Sequence, residues 1–231
     1  MAGTSAPTKY KERAIPSISL ANYASRIDTI TAELVSAASD VGFFCIIDHE
    51  ISGAEITQMF AESERFFSLP DEIKAQVPFS SAHNAGWEKN SQVRPSTGAA
   101  DRKESYQMQF GDNMQGKWLA DDVLPGFKAN SLEFMQKVQD VSEKLMVCLA
   151  RGLGFPDDYF VKAHDVRRPE SQTVARLLHY FGTPVNTNGE VWHRAGAHTD
   201  WDLLTLLFQK EGQSGLEVSV ADYSRATCFA T

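Results

Sequence analysis

Cysteine is scarce in this chain: Cys45, Cys148 and Cys228 are the three in 231 residues, widely spaced and without a C-x-x-C pair. An odd number at such spacing excludes a disulfide scaffold, and the missing pair removes the usual mark of structural zinc or thiol redox chemistry. Cys45 and Cys148 stand in apolar runs and read as core residues. Long apolar stretches are missing too. No segment approaches the roughly 18 apolar residues that cross a bilayer, and the polar opening from Met1 to Arg13 has no apolar signal core. Positive charge is in the minority, with 22 Lys and Arg against 30 Asp and Glu and a net charge of -8. No clustered basic footprint meets nucleic-acid phosphates. With no membrane span, no nucleic-acid surface and no internal repeat, the expectation is a cytoplasmic protein that handles a small molecule.

A hydrophobic content of 42% with 10% aromatics is that of a globular protein, long enough for one large domain or two small ones. Residues 1–14 read as a loose polar arm. From Ser25, Ile27, Ile30, Leu34, Ala37, Ala38 and Val41 recur at helical spacing until Gly42 stops them, and Phe43 to Ile47 reads as a short buried strand. A second helix follows with Ile56, Met59, Phe60, Phe66 and Phe67 on one face and Leu69-Pro70 as its stop. Val77 to Ala100, rich in Ser, Asn, Gly and Pro, reads as a long irregular connection of the kind that walls active sites. Glu104 to Phe110 alternates as a strand. Asn130 reads as the cap of a long helix, with Glu133 as return partner and a stripe from Leu132 to Leu149 that ends at Gly152 and Gly154. From Thr173 the pattern turns to β, with strands expected over Thr173 to Phe181, Leu203 to Gln209 and Leu216 to Val220.

Within that β region, His198-Thr199-Asp200 precedes the apolar run Leu203 to Phe208. On an extended backbone the imidazole and carboxylate, two residues apart, leave the same face and can grip one divalent ion. Ligand distances of about 2.0–2.2 Å put His198 Nε2 and an Asp200 oxygen within roughly 4 Å of each other. Two histidines and one carboxylate on one face of an octahedron are the set used for iron-dependent oxygen chemistry, and His198 and Asp200 supply two of the three.

The stretch from Ala175 to Val218 resembles the iron(II)- and 2-oxoglutarate-dependent dioxygenases of the isopenicillin N synthase-like superfamily. It carries His179-Tyr180-Phe181-Gly182 in place of an Asn-Tyr-Tyr-Pro-like element, then His198-Thr199-Asp200, Leu203 to Gln209, and Gly215-Leu216-Glu217-Val218. The N-terminal half is similar too: Ile15 to Leu20 looks like the opening strand and Val41 to Ile51 the GFF-x-x-x-x-H-x-I element. Phe66 to Lys74 looks like the FF-x-LP-x-E-x-K helix end, Ala85-Gly86-Trp87 like the Gly-Tyr after it, and Asp101 to Tyr106 like the D-x-K-E strand.

The resemblance implies an α+β protein: a mixed N-terminal region over 15–125, a helical connection over 126–170, and an incomplete double-stranded β-helix, a cupin-like jelly roll, over 171–231. It implies an oxidoreductase, of a kind common in secondary metabolism, that hydroxylates, desaturates or closes rings in a small molecule. Its metal would be Fe(II), held by His198 and Asp200, its co-substrate 2-oxoglutarate, its oxidant dioxygen. Tyr180 would face the carboxylate of co-substrate or substrate, or else serve as a plain core aromatic; no catalytic residue is assigned beyond the metal ligands. Arg176 shares the face of Tyr180 and reads first as a structural ion pair, second as an anion contact. His193 is the first substitute for a third ligand and reads otherwise as a loop histidine. His179 carries no assignment; His49, His83 and His164 are given no chemistry, and Asp71, Glu72, Asp121 and Asp122 read as solvated charges.

The distal histidine and Arg-x-Ser pair that follow HTD in the relatives are not found after Val218. On that count the expectation is a C-terminally truncated member that binds ferrous ion poorly, turns over little 2-oxoglutarate and self-associates through an open sheet edge. An inactive fragment or pseudoenzyme, and a scaffold built on the helices, are the competing readings.

Overall fold

Short strands alternate with helices from the first described residues onward. The structure, a computed structural model, describes residues 14–91, 101–182, 198–200, 202–213, 216, 218–219 and 225–226. The chain divides into two units, Met1–Gly53 with Gln139–Lys162 and Leu206–Thr231, and Ala54–Val138 with Ala163–Thr205.

In the first unit, β1 (Ser17–Ser19) pairs in parallel with β2 (Cys45–Ile47), Ile18 opposite Ile46. Parallel neighbours need a crossover, and α1 (Tyr23–Asp40) supplies it. The spaced apolar residues do what their period predicts: Ile30, Leu34 and Ala37 are buried. Gly42, at φ +78°, closes the helix by donating its N–H to the Ala37 carbonyl at 3.0 Å, a left-handed stop that glycine adopts without strain. The strand after it is shorter and less buried than the apolar run suggests, with Phe43 50% and Ile47 41% exposed. Among the described residues β1 is its one ladder partner. The C-terminal half of α4 (Phe127–Gly152) lies against α1. There the Tyr23 hydroxyl donates to the Lys144 carbonyl at 2.8 Å, and a Cβ on Gly152 would fall 2.1 Å from Val35 Cγ2. A two-residue ladder joins β6 (Val218–Ser219) to β7 (Arg225–Ala226), inside the strand expected from Leu216.

The second unit is built on an antiparallel sheet of order β3-β4-β5, with β3 (Gly86–Lys89), β4 (Lys103–Met108) and β5 (Ala175–Tyr180). On one face, α2 (Gly53–Phe67) and the start of α4 deliver an aromatic core. Phe66 stacks on Tyr106 at 4.3 Å and on Phe127 at 5.4 Å, all three buried. Every residue of β4 is buried, so the in–out alternation read from its sequence does not survive at the centre of the sheet.

Three expectations need correction. The connection over Val77 to Ala100 is irregular only in part: Gly86, at φ +111°, lets the chain approach Pro78 so closely that a Cβ would sit 2.3 Å from the Pro78 oxygen, and β3 grows from that contact. Residues 92–100 lie outside the described ones. Asn130 is not a cap, because α4 starts at Phe127; its side-chain amide donates instead to Glu62 Oε1 on α2 at 2.6 Å. Leu203 to Gln209 forms no ladder with any described residue. It keeps the alternation over Thr205 to Phe208, half-buried at Leu206 and Phe208 and exposed at Thr205 and Leu207, but a strand needs a partner as well as a pattern. The fold is therefore mixed α and β, with two-, three- and two-stranded sheets among the described residues.

Candidate metal centre

At His198-Thr199-Asp200 the two candidate ligands come together. His198 Nε2 and Asp200 Oδ1 are 3.3 Å apart, with side chains 38% and 56% exposed. Two donors at adjacent positions around one ion, each about 2.0–2.2 Å from it, are themselves about 3 Å apart, so the donor types and their spacing suit a divalent metal. Among the described residues no third His, Cys, Asp or Glu joins them. His193 lies outside the described residues.

The turn that follows is held by side chains. Asp202, at φ +73°, is in the left-handed region, where Asp is tolerated at a cost. Its Oδ1 accepts the Leu203 N–H at 2.8 Å and meets His164 Nε2 at 3.1 Å. The bond from His164, reinforced by that from the Leu203 amide, holds the Asp202 carboxyl below its ordinary range. An ionised carboxylate only accepts, so His164 Nε2 carries the proton of this bond. Sequence reasoning missed both residues. The signal available was an acidic residue two places after Asp200, and nothing in the sequence tied it to a histidine 38 positions earlier.

Tyr180 is half-buried near the end of β5, opposite Lys103, whose Nζ lies 5.8 Å from the ring centre. Arg176, on the same face, donates to Glu88 Oε1 at 2.6 Å and to Ser105 Oγ at 2.9 Å, the structural role the sequence favoured. On the opposite face His179 Nδ1 is 2.9 Å from Glu104 Oε1. The other Glu104 oxygen takes Lys74 Nζ at 2.7 Å and Trp87 Nε1 at 2.8 Å. Burial alone would raise the Glu104 carboxyl; the bonds from Lys74, His179 and Trp87 outweigh it and hold the group below the usual glutamate value. His49 Nδ1 accepts the Ile51 N–H at 3.2 Å, a local turn contact. Asp71 is not merely solvated: it pairs with Lys89 at 2.6 Å and Lys74 at 3.1 Å.

The family model described as non-haem dioxygenase in morphine synthesis, N-terminal, matches residues 15–122. A proline hydroxylase of Petromyces alliaceus, buaE, is 33% identical over 203 residues, covering 84% of this chain and 62% of its own. The 2-oxoglutarate-dependent dioxygenase frbA of a Dothideomycetidae species is 29% identical, covering 80% and 58%. A full-length Neurospora crassa protein crystallised with alpha-KG and 5-formyluracil superposes with TM-score 0.73 at 28% identity, over 90% of this chain and 66% of that one. In sequence and in fold the chain is similar to the iron(II)- and 2-oxoglutarate-dependent dioxygenases. It spans about three-fifths of the length of these curated relatives. No helix among the described residues is long and apolar enough to cross a membrane.

Proposed function

We propose that this chain is the part of an iron(II)- and 2-oxoglutarate-dependent dioxygenase that supplies two metal ligands, His198 and Asp200, for the oxidation of a small molecule. The 3.3 Å approach of imidazole to carboxylate carries the reading, because it suits a shared divalent ion in a chain whose relatives are named for this chemistry. When bound, iron(II) supplies open coordination positions at which dioxygen is activated. His198 contributes a neutral ring nitrogen, which requires the proton to sit on Nδ1. Asp200 contributes the negative charge that favours a divalent ion, and the Tyr180 hydroxyl is a donor for a carboxylate of co-substrate or substrate. Arg176 donates to Glu88 and Ser105, which supports a structural role for it ahead of an anion contact.

The β strands belong, in this reading, to a double-stranded β-helix, and domain limits follow the family: 15–125 for the N-terminal region, 126–170 for the helical connection, 171–231 for the β core. The substrate class rests on the relatives: a proline hydroxylase and a protein holding a modified pyrimidine both act on or bind small polar molecules. A cytoplasmic setting suits ferrous iron and 2-oxoglutarate.

Anaerobic titration with Mn(II), followed by the loss of its free-ion EPR signal, tests the ligands. The unaltered chain, with two of the three ligands, should bind one ion weakly, and His198→Ala or Asp200→Ala should weaken binding further, by about ten-fold or more. Binding that neither substitution changes would refute the assignment, and succinate release dependent on iron, oxygen and 2-oxoglutarate would extend it to catalysis.

A further inference from the structure

The contact between His164 and Asp202 joins the residue just after α5 (Tyr159–Ala163) to the turn that begins two residues beyond Asp200. Two observations show that the contact does more than decorate the surface. Asp202 is held in the left-handed region, a conformation that is costly for a non-glycine residue and persists when its surroundings enforce it. The oxygen that meets His164 also accepts the Leu203 N–H, so one carboxylate both fixes the direction of the turn and ties it to His164. The His164 side chain is only 21% exposed, which limits the positions from which it can act.

We propose that His164 is a positioning residue: through Asp202 it fixes the turn that presents His198 and Asp200, so that the two donors are aligned before an ion arrives. The inference rests on the metal assignment above and goes beyond it, since it concerns a residue that is not one of the two proposed ligands. Side chains that orient the ligands of a metal site typically change affinity by 10–100-fold when removed, by this kind of pre-alignment.

The test uses the full chain and two readouts. In the metal-free protein, hydrogen exchange across residues 198–205 should speed up in His164→Ala and stay near the original rate in His164→Gln, whose amide nitrogen reaches the same place as Nε2. In the Mn(II) titration, His164→Ala should bind about ten-fold more weakly and His164→Gln should recover most of the loss, while thermal melting of the metal-free variants stays unchanged. Adding His164→Ala to Asp202→Gly should cost nothing further, because the partner is already gone. Unchanged exchange and unchanged affinity in His164→Ala would overturn the proposal. So would a loss that His164→Gln does not recover, or a fall in melting temperature that matches the loss of binding, since a merely structural histidine gives that pattern. If the unaltered chain takes up no Mn(II), the metal assignment itself fails, and the positioning role falls with it.

Discussion

At Glu104 a single buried carboxylate ties the short helix α3 (Asp71–Lys74) to strands β3 and β5, through Lys74, Trp87 and His179. Both members of the Lys74 pair are almost fully buried, at 3% and 2% exposure, so breaking it leaves an uncompensated charge in the interior. Glu104→Gln should therefore lower stability at neutral pH by about 3 kcal/mol or more, measurable by urea denaturation. The pH dependence has a fixed sign. Because the folded carboxyl lies below its ordinary value of 4.5, its stabilisation is complete above that value and is lost as pH falls through the lower folded one. Unfolding curves between pH 6 and pH 3 should steepen towards acid for the native chain and be flatter for Glu104→Gln; parallel profiles would assign the acid lability elsewhere. At Gly86 the constraint is space as well as conformation: Gly86→Ala puts a methyl 2.3 Å from the Pro78 oxygen at a φ that alanine avoids. A loss of about 2 kcal/mol or more, with weakened exchange protection in β3, is expected.

The helices were legible in the sequence because period and stop signals agree. The stripe through Ile30, Leu34 and Ala37 and the glycine after it define α1 to within two residues of the structure. At α4 the stripe was right and the start was not: Asn130 carries the chemistry of a cap, but its amide finds a buried carboxylate on α2, and that tertiary bond outranks the local one. β4 was placed correctly and its surroundings were not, since a strand covered on both faces needs no alternation. Leu203 to Gln209 shows the opposite case, a pattern without a described partner. At the site, the approach of His198 to Asp200 was readable because side chains two positions apart can reach the same side of the chain. The His164–Asp202 contact was not, because it depends on a fold contact across 38 residues and on a backbone angle. A prediction follows for α2, whose Phe66 is fully buried between Tyr106 and Phe127: Phe66→Ala should cost about 3–5 kcal/mol, read from the shift in denaturation midpoint at constant slope. A cost under about 1 kcal/mol would mean that the stack is not a core.

For the whole chain, charge sets the order of events on acidification. With a net charge of -8 the protein repels itself at neutral pH, and it reaches electrical neutrality near pH 5.3, before the ordinary glutamate range is crossed. Light scattering should therefore rise near pH 5.3 while tryptophan fluorescence is still native-like, and fluorescence should change only at lower pH, as Glu104 protonates; simultaneous onset would mean that association and unfolding are one process. The central place of β4 has a further consequence, in time instead of space. Its neighbour β3 leaves the ribosome just before it, whereas β5 emerges only after both α4 and α5 have been made. During synthesis β4 must wait with one edge unsatisfied, and closing so long a loop is slow compared with joining close neighbours. Nascent chains that end before Ala175 expose that edge, so chaperone dependence, if this protein has any, is concentrated in the interval between the birth of β4 and the arrival of β5.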